Sequence, residues 1–171
     1  MAFTNQNKKQ IKNITMKKIL LVLLVTLSIN GFAQQKELVW HTDVNKAINL
    51  SVDSEKPLFL FFTGSDWCGW CKKLVKEVFI KQEFKSWATK NAILVELDFP
   101  RRTPISEELK KQNRELGSMF GVRGYPTGFF VKPKIVNGKV DLVNNILGKQ
   151  GYVAGGAKGW IAGANKILKN K

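Results

Sequence analysis

The chain predicts an α/β fold: a central mixed β-sheet flanked by helices, with an antiparallel hairpin at one edge. Two observations carry that expectation. Short apolar runs at residues 58–62, 92–99 and 127–131 alternate with segments whose apolar residues recur at helical spacing. Asn137-Gly138 then marks a tight turn between the third run and residues 139–147, which makes the last two strands consecutive. The element order is α, β, α, β, α, β, β, α.

The first helix is expected over residues 41–53, where Val44, Ala47, Ile48 and Leu50 fall to one side and Asp43 suits a first turn; Ser54-Glu55-Lys56-Pro57 ends it. Residues 58–62 (Leu-Phe-Leu-Phe-Phe) read as a fully buried strand. Leu74, Val75, Val78 and Phe79 place a helix after Cys68, and Phe84 with Trp87 marks a second short helical segment whose other side carries Lys81, Glu83, Lys85 and Lys90. In the next strand Ile93, Val95 and Leu97 alternate with Glu96 and Asp98, the pattern of a sheet face that is less apolar on one side. Pro100-Arg101-Arg102-Thr103-Pro104 is a stiff basic loop, and Ser106 followed by Glu107 and Glu108 starts a helix whose stripe is Leu109, Leu116, Met119 and Phe120. Residues 121–124 break that helix, and Pro126 opens the strand at 127–131. Gly148 and Gly151 loosen the chain before a last helix from about Ala157, with Trp160, Ile161, Ala164, Ile167 and Leu168 on its apolar face.

The N-terminus reads as an export signal. Lys17 and Lys18 precede an apolar stretch at 19–27, and Gly31-Phe32-Ala33 supplies small residues at the two positions a signal peptidase reads. The stretch is shorter than the roughly twenty residues of a spanning helix, so a cleaved signal over residues 1–33 is expected over an uncleaved anchor. Met16 is a natural initiator for it. Residues 34–171 then form a single domain and the product is periplasmic or otherwise exported. Removing the signal, with its five lysines and no acids, lowers the formal charge from +15 to +10. The remaining lysines are scattered rather than clustered with aromatics, which argues for solvated surface charge and against a nucleic-acid groove.

Both cysteines of the chain lie in Trp67-Cys68-Gly69-Trp70-Cys71, at the junction of the buried strand and a helix. Backbone N–H groups and the dipole at a helix N-terminus favour a thiolate, so Cys68 is a candidate nucleophile; Lys72 and Lys73 add to that field. Zinc requires four ligands, and the chain has no third cysteine and one histidine, His41, so no metal is expected. A purely structural disulfide is the other reading, but one closing so short a loop constrains the unfolded chain little.

The buried strand, the Trp67-Cys68-Gly69-Trp70-Cys71 motif opening a helix, and Gly124-Tyr125-Pro126-Thr127 about fifty-five residues later at the head of a strand together resemble the thioredoxin superfamily. The resemblance covers nearly all of residues 34–171 and is nearest to exported thioredoxin-like proteins with a Gly-Ser-Asp-Trp-Cys-Gly-Trp-Cys loop. It implies that Pro126 is cis and lies against the dithiol, and that the Tyr125 backbone can pair with an extended substrate segment. The alternatives are an ordinary trans proline starting a strand and a Tyr125 that only packs. It further implies that Cys68 forms a mixed disulfide with substrate and that Cys71 resolves it. Trp67 then shapes the substrate surface or is simple core, while Gly69 and Trp70 tune the thiolate. Trp70 stands where cytoplasmic thioredoxins have proline and eukaryotic disulfide isomerases histidine.

One departure from the family concerns the strand before the dithiol. Thioredoxins bury an acid there, thought to take a proton from the deeper cysteine, whereas Phe59, Leu60, Phe61 and Phe62 fill it here. Asp66 is expected in the exposed loop, with its charge opposing the thiolate; Glu96 or Asp98 could substitute only if directed inward. The expected function is an exported thiol–disulfide oxidoreductase that reduces or isomerises protein disulfides, needing no cofactor, monomeric, and served by a membrane electron donor or acceptor. Two alternatives stand beside it: a redox-inert binding or chaperone module using the Tyr125-Pro126 groove, and a dedicated electron carrier to one client protein.

Overall fold

The computed structural model describes residues 38–169. The signal sequence expected at 1–33, the Met16 initiator and the domain start at residue 34 lie outside the described residues. Seven strands and five α-helices make up the described chain: β1 (Trp40–His41), α1 (Val44–Ser54), β2 (Leu58–Thr63), α2 (Gly69–Leu74), α3 (Gln82–Asn91), β3 (Ile93–Asp98), α4 (Glu107–Met119), β4 (Thr127–Val131), β5 (Lys134–Val136), β6 (Lys139–Asp141), β7 (Ile146–Lys149) and α5 (Gly156–Lys169). A π-helical turn, Val75–Phe79, continues α2.

β1, β3, β2, β4 and β7 form one sheet in that order, with β1, β3 and β2 parallel and β4 antiparallel to both β2 and β7. Every residue of β2 is buried, which is why its sequence is a continuous apolar run and not an alternation. Its even-numbered side chains, Leu58, Leu60 and Phe62, pack with Val95 and Leu97 against Val44, Ala47 and Ile48 of α1 and Leu116 of α4. Phe59 and Phe61 point the other way, with Leu94 and Phe130, into a cluster made by Leu74, Val78, Phe79, Phe84 and Trp160. Helices thus cover both faces, as the element order predicts.

Several local expectations are corrected. The first helix begins at Val44, not His41: the Asp43 carboxylate accepts the N–H groups of Asn45 and Lys46 as an N-cap, and Trp40–His41 is released to pair with β3. Leu50 faces solvent, and Ser51 takes the buried position, its hydroxyl donating to the Lys56 carbonyl at 2.5 Å. Val75 and Met119 are likewise exposed; Asn113 is the buried polar residue of α4, its side-chain amide donating to the Asp98 carbonyl at 2.8 Å.

Asn137-Gly138 does close a tight turn, both residues having positive φ, but it joins β5 to β6. Those strands form a separate two-stranded ribbon after Pro133 ends β4, and the antiparallel edge partner of β4 is β7. Gly148 lies inside β7, where the Ile167 side chain of α5 occupies the space a Cβ would need. Among the described residues no helix is long and apolar enough to cross a membrane.

Candidate active site

The sheet brings the two sequence motifs to one end. β2 runs up to the dithiol loop and β4 starts after Pro126; the antiparallel register sets Phe62 opposite Thr127, so both loops leave the sheet side by side. The Tyr125–Pro126 peptide bond is cis. Tyr125 also meets the dithiol loop directly, its ring perpendicular to that of Trp67 with centroids 5.6 Å apart. Phe99, at the end of β3, packs on Tyr125 at 5.3 Å. Burial raises the Tyr125 hydroxyl above its ordinary pKa. On the far side of Pro126, Gly151 comes so close that a Cβ there would stand 2.7 Å from the Pro126 carbonyl oxygen.

Cys68 and Cys71 are joined by a disulfide, with Cα atoms 5.2 Å apart. Cys68 is the N-cap of α2, and its sulfur accepts the Cys71 backbone N–H at 3.2 Å. Both cysteines are buried, Cys68 at 6 % exposure and Cys71 at 1 %. The helix that begins here is anchored to the sheet by Leu74, Val78 and Phe79. Among the described residues no group of three or more His, Cys, Asp or Glu side chains could hold a metal ion.

The remaining predicted site residues fall around this pair. Trp67 is half-buried; its indole N–H donates to the Phe99 carbonyl at 2.8 Å, and its ring covers Gly64 so closely that any Cβ there would overlap it. Gly69 is exposed with open space above it. Trp70 is 57 % exposed and lies against Tyr152, centroids 5.1 Å apart. Lys72 donates to the Asp66 carbonyl at 2.8 Å, and Lys73 sits over both the Trp70 and Tyr152 rings.

Asp66 is ionised in the loop, as expected, but tied to the basic loop after β3. Its carboxylate accepts the backbone N–H groups of Arg101, Arg102 and Thr103 at 2.6–3.2 Å, and those bonds, Arg101's foremost, lower its pKa from 3.8 to about 2. Asp98 is similarly spoken for, accepting the Ser65 N–H at 2.8 Å and hydroxyl at 2.5 Å. Glu96 lies beside Phe61 in the parallel register, on the sheet face of Leu94 that the α2 side covers; burial first, and then Asp98, raise its pKa. No acid occupies β2. Sequence reasoning missed Tyr152, Phe99 and the role of Asp66, all of which depend on contacts between segments distant in the chain.

A model of the thioredoxin-like domain matches residues 44–140. The chain is 33% identical over 124 residues to the disulfide bond reductase DsbH of Chlamydia pneumoniae, covering 72% of this chain and 69% of that protein. It is 34% identical over 125 residues to the thioredoxin-related protein DsbJ of the same organism, covering 69% of this chain but 36% of that longer protein. A solved structure of a DsbH oxidoreductase superposes with a TM-score of 0.68 at 29% identity, over 83% of this chain and 95% of that one. With the disulfide-linked CxxC pair at a helix start, a cis proline in the loop that meets it and these similarities together, the chain belongs to the thioredoxin-like family.

Proposed function

We propose that the protein is an exported thiol–disulfide oxidoreductase that acts on disulfides of other polypeptides, chiefly as a reductant. The observation that carries this reading is the Cys68–Cys71 pair itself: one cysteine at the helix cap, the other a turn deeper, with the cis-proline loop meeting theirs through Tyr125 and Trp67. The similarity to a protein named as a disulfide bond reductase supports the direction of electron flow. The N-terminal signal pattern supports export.

The Cys71 N–H, which the Cys68 sulfur accepts in the disulfide form, favours the Cys68 thiolate once the pair is reduced. That thiolate attacks one sulfur of the substrate disulfide; the substrate S–S bond breaks, a Cys68–substrate disulfide forms, and the departing sulfur takes up a proton. Cys71, deprotonated, then attacks the Cys68 sulfur. The mixed disulfide breaks, the second substrate sulfur leaves as thiolate and is protonated, and the Cys68–Cys71 bond closes. Two electrons have passed to substrate, and a thiol donor such as a membrane reductase restores the dithiol. Trp67, Trp70 and Tyr125 shape the surface the substrate meets, Gly69 leaves room beside the sulfur, and the backbone around Pro126 pairs with the substrate segment.

Insulin reduction by residues 34–171 tests the reading. Cys68→Ser is expected to abolish turnover, and Cys71→Ser to accumulate mixed disulfides; normal turnover by Cys68→Ser would end the proposal. Equilibration with glutathione separates the directions, since a potential near roughly −270 mV marks a reductant and one near about −120 to −180 mV an oxidant or isomerase.

A further inference from the structure

The two tryptophans that flank Cys68 each carry a cation on the ring. The Arg101 guanidinium carbon lies 4.1 Å from the Trp67 ring centroid, and Lys73 Nζ lies 4.9 Å from that of Trp70 and 5.0 Å from that of Tyr152. Both cations are held there by the fold. Asp66, two residues before Cys68, binds three consecutive N–H groups of the basic loop and so draws Arg101 over Trp67. Tyr152 donates to Glu77 at 2.7 Å, and Glu77 lies 4.0 Å from Lys73, which fixes the second cation over its two rings.

The nearby carboxylates are already engaged. Asp66 is held by the loop backbone, Asp98 by Ser65, and Glu77 by Tyr152 and, at 4.0 Å, by Lys73. Among the described residues Arg101 and Arg102, both exposed, form no ion pair with a carboxylate. Arg101 thus carries its charge beside Trp67 with no carboxylate partner, and Lys73, 4.0 Å from Glu77, sets a second cation against Trp70; each of the two is covered on one face by an indole.

We infer that the Arg101–Lys73 rim selects substrate disulfides whose cysteines are flanked by aspartate or glutamate. This rests on the thiol–disulfide exchange proposed above. Complementary charge acts mainly on encounter and register, so the preference belongs in kcat/KM and weakens with salt.

The test compares model peptides bearing one disulfide with Asp, Ser or Lys on both sides of the cysteine. The acidic peptide is expected to have a kcat/KM on the order of tenfold above the basic one at low salt, with the ratio collapsing toward one near about 0.5 M salt. The double variant Arg101→Met, Lys73→Met keeps apolar cover on the rings and is expected to abolish the ratio. Arg101→Lys, Lys73→Arg is expected to retain it, and Lys139→Gln on the separate β5–β6 ribbon removes one charge without altering it. A redox potential measured for each variant separates recognition from tuning, because a shift in potential changes all three rates together. Equal rates for the three peptides, or a preference that survives the double methionine variant, overturn the rim. Recognition without chemistry is read by titrating serine-for-cysteine peptides against the oxidised protein and following tryptophan fluorescence. Tighter binding of the acidic peptide supports the rim even where no disulfide is turned over, which is the outcome that would remove the oxidoreductase reading alone; equal binding overturns the rim.

Discussion

The Tyr125 ring stands perpendicular to Trp67, edge to face, with centroids 5.6 Å apart. Tyr125 immediately precedes the cis Pro126, and Trp67 immediately precedes Cys68 of the disulfide. The contact therefore ties the cis-proline loop to the dithiol loop across a gap in sequence that neither loop bridges by itself.

Loss of that tie is expected to misplace the Pro126 backbone, proposed above to pair with substrate, relative to the sulfur. Tyr125→Ala should lower kcat/KM for insulin reduction by on the order of tenfold, while Tyr125→Phe, which keeps the ring, should remain near wild type. Steady-state turnover of both variants checks this, with the Cys68–Cys71 potential measured alongside; an alanine variant as active as the phenylalanine one would contradict it.

The Asp66 clamp has a defined pH dependence. Its folded pKa of about 2 lies below the ordinary 3.8, so the ionised carboxylate stabilises the fold fully above pH 3.8, and the contribution is lost as pH falls through about 2. Asp66→Asn should accordingly unfold at lower urea concentration than wild type by a constant margin from pH 7 to about 4. The margin should narrow on further acidification. Urea midpoints across that range decide the matter.

Glu96 has the opposite sign. Burial raises its pKa above 4.5, so the folded state favours the neutral acid, and stability from this group is greatest below pH 4.5 and declines as pH rises through the folded pKa. Glu96→Gln is thus expected to raise Tm at pH 7, with the gain vanishing below pH 4.5. If Glu96 also takes the Cys71 proton, the same variant slows release of the mixed disulfide, a step visible in rapid-mixing thiol exchange.

Phe62 sits among aromatic rings, 6.1 Å from Phe120 and 6.0 Å from Phe129, and is fully buried. Introducing a carboxylate on this strand by Phe62→Asp strands an acid in that cluster and removes the ring. A loss of at least about 3 kcal/mol in unfolding free energy is expected, with no gain in turnover. Denaturant unfolding and insulin reduction measure the two halves of that statement; a stable and faster variant would show that the missing acid limits the chemistry.

The layers of this protein were legible in its sequence because burial on both faces leaves a mark on composition. The apolar run of β2, the helical spacing around Phe84 and Trp160, and the positions of Cys68, Cys71 and Pro126 all follow from local pattern. What the sequence determined by itself was the order of the helices and of the central strands β2, β3 and β4, and the dithiol at a helix cap, since periodicity and capping act over a few residues. Tertiary structure decided the rest. Asn137-Gly138 encodes a turn but not its partner strands, and Pro133 handed that turn to β5 and β6 while β7 paired with β4. Two-residue β1 is too short to carry a period, and it forms because β3 offers an unpaired edge. Asp66 reads as a surface acid near a sulfur; only when β3 delivers residues 101–103 to it do three N–H groups bind its carboxylate and set Arg101 on Trp67. Hydrogen bonds of that kind join residues some thirty-five positions apart, a separation over which local pattern carries no information and chain topology alone sets distance.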